Sequence, residues 1–341
     1  MIYLLVYAAL LLCGLVSRGN VQFRTALYHI CLIGLFLFAG FRYKVGCDWT
    51  GYLNIFEEAR NHEAPRSEVA FWFVNRYLHY FQLDYPYINV IAALSFFVGL
   101  HALAKRQPDP LSVLILSFPI LVLELAMSAV RQAIAVGLLC FAYNAFVEVR
   151  LLRFVLFVLL AASFHSSAMF FLLFVPFIHG ELSIRRTVLA GVLALPGVYY
   201  FLTSSTFEQY SRQYIGAATE AFGAPFRSGL LALTGLAFIW FLHDTWEAQS
   251  KPDFKLVKIS SYLMLAMLPL SLFSSVAADR LAFYLYPLQL IVLARLPLLI
   301  PGPNATTVAI APYAAGTLFL LVWTSLSSLF ERCYIPYQIW W

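Results

Sequence analysis

The chain has 341 residues, 62% hydrophobic, 17% aromatic and only 11% charged, with a formal net charge of +5. A soluble domain carries roughly 25% charged residues to face water, so this composition, with a mean hydropathy of +0.80, excludes one. The apolar stretches recur at roughly the 17–25 residues a helix needs to cross hydrocarbon, and the period-2 alternation of a membrane barrel is absent.

In chain order, candidate spans fall near 1–17, 25–41, 86–104, 111–124, 127–147, 151–164, 166–179, 187–203, 229–244, 257–275, 280–296 and 308–329. The fold class is an all-α polytopic membrane protein of about twelve transmembrane helices, between ten and thirteen. Met1 to Val16 has no charged leader region and no A-x-A cleavage site, so it reads as a retained helix. Pairs such as 111–124 with 127–147 are short and close, as broken or half-helices would be. Residues 1–341 read as a single transmembrane domain without repeats, with outer loops at 42–68 and 203–228.

The segment 69–83 admits two readings. Asn75, His79 and Gln82 recur at i, i+4, i+7 as one polar stripe in an aromatic stretch. It is either an amphipathic or re-entrant helix at the interface, or a span with its stripe turned inward. Topology decides between them. With Arg18 and Arg24 inside and 69–83 not spanning, Lys105/Arg106, Arg150/Arg153, Arg185/Arg186 and Lys251/Lys255/Lys258 all fall inside. A spanning 69–83 would put every one of those later groups outside.

The basic residues therefore mark helix ends. They form no run with interleaved aromatics, and no nucleic-acid partner is expected. Cys13, Cys31 and Cys140 lie in apolar runs, with no metal-ligand spacing. Cys47 and Cys333 fall in loops and would pair if those loops met on an oxidising side.

Four polar clusters have no topological excuse, and all map to the outer face. The first is Arg42-Tyr43-Lys44-Val45-Gly46-Cys47-Asp48-Trp49, followed by Tyr52: either an interfacial anchor or an anion clamp beside a carboxylate. The second is Glu124, Ser128 and Arg131, with Gln132 alongside: either an internal ion pair or a guanidinium that grips phosphate. The third is the Phe164-His165-Ser166-Ser167 turn, which breaks an apolar run either for interhelical hydrogen bonding or to place a histidine base. The fourth is Asp279-Arg280 with Tyr284 one turn on, where Asp279 fits a helix N-cap and Arg280 an outer vestibule. Arginines, carboxylates and a histidine on one face suit displacement at a sugar with a pyrophosphate leaving group. No nucleotide loop or metal cluster is present, so no cofactor and no metal is expected.

The segments FRYKVGCDWTGY (41–52), AVRQAIAVGLLCFA (129–142), SFHSSAMFFLLFVPF (163–177) and ADRLAFYLYP (278–287), with a closing IPY (335–337), resemble the EpsG family of Wzy-like polysaccharide polymerases. The resemblance implies a GT-C-like, metal-independent glycosyltransferase of the bacterial inner membrane. Its donor and acceptor would be undecaprenyl-pyrophosphate-linked glycans in membrane lipid, joined at the outer, periplasmic face, usually beside a chain-length regulator. Arg42, Asp48, Arg131, Gln132, His165 and Arg280 match the motif positions. The expected catalytic set is His165, Asp48, Arg131 and Arg280, and the substrate-binding set is Arg42, Tyr52, Gln132, Ser166, Asp279 and Tyr284. An O-antigen ligase, a membrane O-acyltransferase and a lipid-linked glycan flippase are the rival readings. Modest outer loops count against a ligase, and the lack of paired pseudo-symmetric halves counts against a flippase.

Overall fold

A computed structural model describes residues 2–60, 68–203, 223–300 and 305–340. Most of the outer loop expected at 203–228 lies outside the described residues. The elements are α1 (Ile2–Val16), α2 (Val21–Gly40), α3 (Trp49–Arg60), α4 (Val69–Tyr80), α5 (Pro86–Ala104), α6 (Pro110–Ser117), α7 (Val130–Val147), α8 (Leu151–Phe164), α9 (Val175–Ile178) and α10 (Ile184–Thr203). They continue as α11 (Ala224–Ala237), α12 (His243–Gln249), α13 (Lys251–Phe273), α14 (Ser275–Leu299), α15 (Ala305–Leu326) and α16 (Ser328–Tyr334). Among the described residues the structure is helical, apart from one isolated bridge between Arg42 and Ile339.

Among the described residues, seven helices are long and apolar enough to span, among them α2, α5, α7 and α13–α15, and four shorter apolar helices accompany them. This is fewer than the twelve expected, and backbone chemistry supplies the reason. Pro119 lacks an N–H donor, and α6 passes into a π-helical stretch, Phe118–Ala126, that closes on Met127 N–H donating to Val122 O at 3.0 Å. The stretch after the His-Ser-Ser turn is a 3₁₀ helix, Ser166–Phe174, leading into the four residues of α9. None of these pieces matches a full span in one regular helix.

α4 has 12 residues, about 18 Å of helix, too short to cross hydrocarbon. Its stripe is inverted relative to a soluble amphipathic helix. Phe71, Asn75 and Leu78 are buried, while Phe73, Tyr77 and Tyr80 are exposed, as suits an aromatic face resting in an interface.

The chain divides into two compact units. Unit 1 comprises 1–141, 160–166 and 293–341; unit 2 comprises 142–159 and 167–292. In unit 1, α5 and α7 cross at bare backbone: a Cβ on Gly99 would lie 2.0 Å from Gly137 O, the small-residue contact that lets membrane helices approach. The basic end of unit 1 is stapled by Arg24, which donates through Nε and NH2 to Asp109 at 2.9 and 2.6 Å. Asp109 also accepts from the Ser112 hydroxyl and N–H at the start of α6. Burial opposes its ionisation, but Arg24 and Ser112 outweigh that and hold the carboxyl below its usual range. In unit 2, Lys255 Nζ donates to Ile178 O at 2.8 Å and Gly180 O at 3.0 Å, closing the last carbonyls of α9.

The opposite end of unit 1 is set by Gly46, at φ +105°, where a Cβ would stand 2.0 Å from Met127 O. Only glycine permits both that dihedral and that approach. A Gly46→Ala change is expected to destabilise the protein by more than ~1 kcal/mol, read as a lowered midpoint of thermal unfolding in detergent. Asp109 has a folded pKa below its unfolded value, so its contribution is full at neutral pH. That contribution is lost as pH falls through the ordinary carboxylate range towards the lower folded value. An Asp109→Asn variant should show a weaker acid dependence than wild type across that window.

Candidate functional site

The site in unit 1 is built on the loop between α2 and α3. α2 ends at Gly40, and the chain turns so that Arg42 points inward, 1% exposed. Its Nε donates to Val45 O at 3.1 Å, NH1 to Ala39 O at 2.6 Å and NH2 to Asn89 Oδ1 at 2.9 Å. Burial lowers its pKa, opposed by the surrounding Tyr85, Tyr334, Tyr337 and Tyr3. Expected as an anion clamp, Arg42 instead binds the loop that contains it and holds that loop on α5.

A C-terminal strap locks the same loop from outside. Tyr43 N–H donates to Gln338 O at 2.9 Å, Trp340 N–H to Phe41 O at 2.8 Å and Gly46 N–H to Cys333 O at 2.8 Å. Cys47 and Cys333, 286 positions apart in sequence, form a disulfide across a Cα–Cα distance of 4.8 Å. The Tyr337 hydroxyl, pushed up to about 12 by burial, donates to Phe38 O at 2.9 Å. Asp48 is thus presented, exposed, at the start of α3 by a loop held on every side.

Above it lies an aromatic bed. Tyr52, Phe56, Phe71, Leu78, Tyr85, Ile88, Val130 and Ile134 form one buried cluster, with Trp49 and Phe164 packed against it. Arg131, one residue into α7, lies over the Tyr52 and Phe71 rings at 5.4 and 5.9 Å. It pairs with Glu68 at 2.5 Å. Burial raises the Tyr52 pKa, with Arg131 pulling the other way. Phe164, next to His165, packs on the cluster that contains Val130, next to Arg131. Gln132 is buried, His165 half-buried and Ser166 exposed.

Unit 2 holds the remaining expected residues. Helix α14 begins at Ser275, so Asp279 lies one turn inside it and is no N-cap. Asp279 Oδ1 instead accepts from Arg227 Nε at 2.8 Å and pairs with its NH2 at 2.6 Å. Tyr284 is fully buried. Its hydroxyl meets the Ser167 hydroxyl at 2.9 Å, and its carbonyl accepts from the Tyr143 hydroxyl at 2.8 Å. Arg280, beside Asp279, is half-buried.

Sequence reading missed Glu68, Tyr85, Asn89 and Arg227. Asn89 carried a signal, a lone amide inside the apolar start of α5. Among the described residues, its Nδ2, the Tyr85 hydroxyl and Asn75 Oδ1 are buried without a hydrogen-bond partner, an arrangement rare in native cores. Glu68 and Arg227 gave no local signal, because their partners lie 63 and 52 positions away. A cavity of about 440 Å³ lies at the other end of unit 1, lined by Arg18, Arg24, Asp109, Ser112 and Tyr313. Arg24 is paired there with Asp109, and α2 separates that cavity from the Arg42 loop. Among the described residues no group of three His, Cys, Asp or Glu side chains could hold a metal ion.

A family model described as "EpsG family" matches residues 25–339, nearly the whole chain. The chain belongs to the EpsG family. EpsG proteins are Wzy-like polymerases, and membership supports a polysaccharide polymerase acting on lipid-linked glycans within a multi-pass membrane protein. No curated protein and no solved structure matches the chain. The EpsG match spans both the disulfide-locked loop and the Arg131 helix. In a background lacking Cys13, Cys31 and Cys140, maleimide–polymer labelling should leave the denatured protein unshifted until a thiol reductant is added, after which two thiols react. Two thiols reacting without reductant would remove the cross-link from the native protein.

Proposed function

We propose that this protein polymerises undecaprenyl-pyrophosphate-linked oligosaccharide repeat units at the outer face of the bacterial inner membrane. The growing chain is transferred from its lipid carrier to the non-reducing end of an incoming unit, and undecaprenyl pyrophosphate leaves. Arg131 and Arg280 bind the pyrophosphate and neutralise charge as the C1–O bond breaks. His165 takes the proton from the attacking hydroxyl. Asp48 orients the acceptor or the imidazole, and is the next candidate for the base. Tyr52, Gln132, Ser166, Asp279 and Tyr284 shape the surrounding site, and a chain-length regulator is the expected partner. The chemistry proposed needs no metal.

The observation that carries this reading is Arg131 at the end of an apolar span. Its guanidinium carbon lies 5.4 and 5.9 Å from the Tyr52 and Phe71 ring centroids, and its side chain is 24% exposed. A planar donor fork beside aromatic rings is the side chain best suited to a phosphate group. The Cys47–Cys333 disulfide supports the outward orientation, because such bonds persist in oxidising compartments.

Purified protein in lipid nanodiscs, supplied with lipid-linked repeat units, should yield a polymer ladder. Arg131→Ala should lower the rate by about 10²–10³-fold, and His165→Ala by about 10²–10⁴-fold, with folding intact. Near wild-type ladders from His165→Ala would move the base assignment to Asp48, and unchanged ladders from Arg131→Ala would remove its phosphate role.

A further inference from the structure

Glu68 is the last residue before α4 and occupies its N-cap position, yet its side chain makes no capping hydrogen bond there. A carboxylate beside the first N–H groups of a helix is favoured by the helix dipole. Glu68 instead pairs, 11% exposed, with Arg131 at 2.5 Å. Arg131 lies 5.4 and 5.9 Å from the Tyr52 and Phe71 ring centroids, so aromatic neighbours help to orient it while Glu68 accepts from its NH1. A carboxylate offers two oxygens to a guanidinium, as a phosphate does.

We propose that Glu68 is the resident counter-anion of Arg131, exchanged for the pyrophosphate oxygens of the lipid-linked substrate when it binds. The proposal rests on the phosphate role given to Arg131 above. Removing one partner of a buried pair leaves an uncompensated charge, which is strongly unfavourable; replacing one anion by another is not. Glu68 thus keeps Arg131 oriented and its charge compensated between turnovers. It also competes with the substrate, and with undecaprenyl pyrophosphate that stays bound after transfer. The exchange moves no covalent bond: the guanidinium keeps its protons, and the released carboxylate turns to solvent.

The test measures binding of undecaprenyl pyrophosphate to the full-length protein in nanodiscs. Glu68→Gln keeps shape and an acceptor oxygen but removes the competing charge, and should bind the lipid about tenfold more tightly. Arg131→Ala should bind it at least tenfold more weakly. Weaker binding in Arg131→Ala with unchanged or weaker binding in Glu68→Gln overturns the exchange and leaves the phosphate role standing. Unchanged binding in Arg131→Ala overturns both. The wild type gives a second readout independent of any variant's folding. Carbodiimide-driven labelling of Glu68 with glycine ethyl ester, located by peptide mass spectrometry, should rise when undecaprenyl pyrophosphate is added. Labelling that stays level or falls overturns the exchange.

Discussion

A guanidinium with almost no exposure must have its donors satisfied by protein, because burying it unpaired is among the costliest placements in a fold. Arg42 meets that requirement through Val45 O, Ala39 O and Asn89 Oδ1. The rest of the disulfide end of unit 1 follows from it. The loop has to wrap the side chain, Gly46 has to pass against the backbone of Met127, and the C-terminal strap has to close the far side through Tyr43, Gly46 and Trp340. Asp48 and Trp49 then leave the loop in one direction only.

The same economy appears at Arg131. Aromatic rings at 5.4 and 5.9 Å and a carboxylate surround it, so little conformational freedom would remain to be lost in the proposed phosphate binding. Fixing a cation before charge develops is what gives electrostatic stabilisation its effect, since no reorganisation is needed at the moment of reaction. Arg42 and Arg131, both motif arginines and both apt for phosphate by residue type, thus occupy different environments: one sealed behind its own loop, the other accessible.

Hydropathy made the spans of α2, α5, α7 and α13–α15 legible, because a helix in hydrocarbon must be long and apolar. It failed where length and apolarity parted company. The pieces around Pro119 and after Ser166 are apolar yet pass into π and 3₁₀ geometry, and composition does not show the hydrogen-bond register. The charge pattern that argued against a spanning 69–83 agrees with the 12 residues of α4. The meeting of Cys47 and Cys333 was legible only as a condition, since nothing local says that a loop and a segment 286 positions on, found here in α16 rather than in the expected loop, converge. The residue types of the site were legible too. Their partners were not, because Glu68, Asn89 and Arg227 act through contacts made only by the folded chain.

Hydrogen–deuterium exchange across residues 41–52 in an Arg42→Lys variant tests the central constraint most directly. Lysine keeps the charge but cannot reach three acceptors in the fork geometry of arginine. The account predicts faster exchange at the Tyr43, Gly46 and Trp49 amides, which the loop and strap protect, together with reduced polymerisation. Full protection of those amides alongside lost polymerisation would contradict it, and would make Arg42 a group that touches substrate.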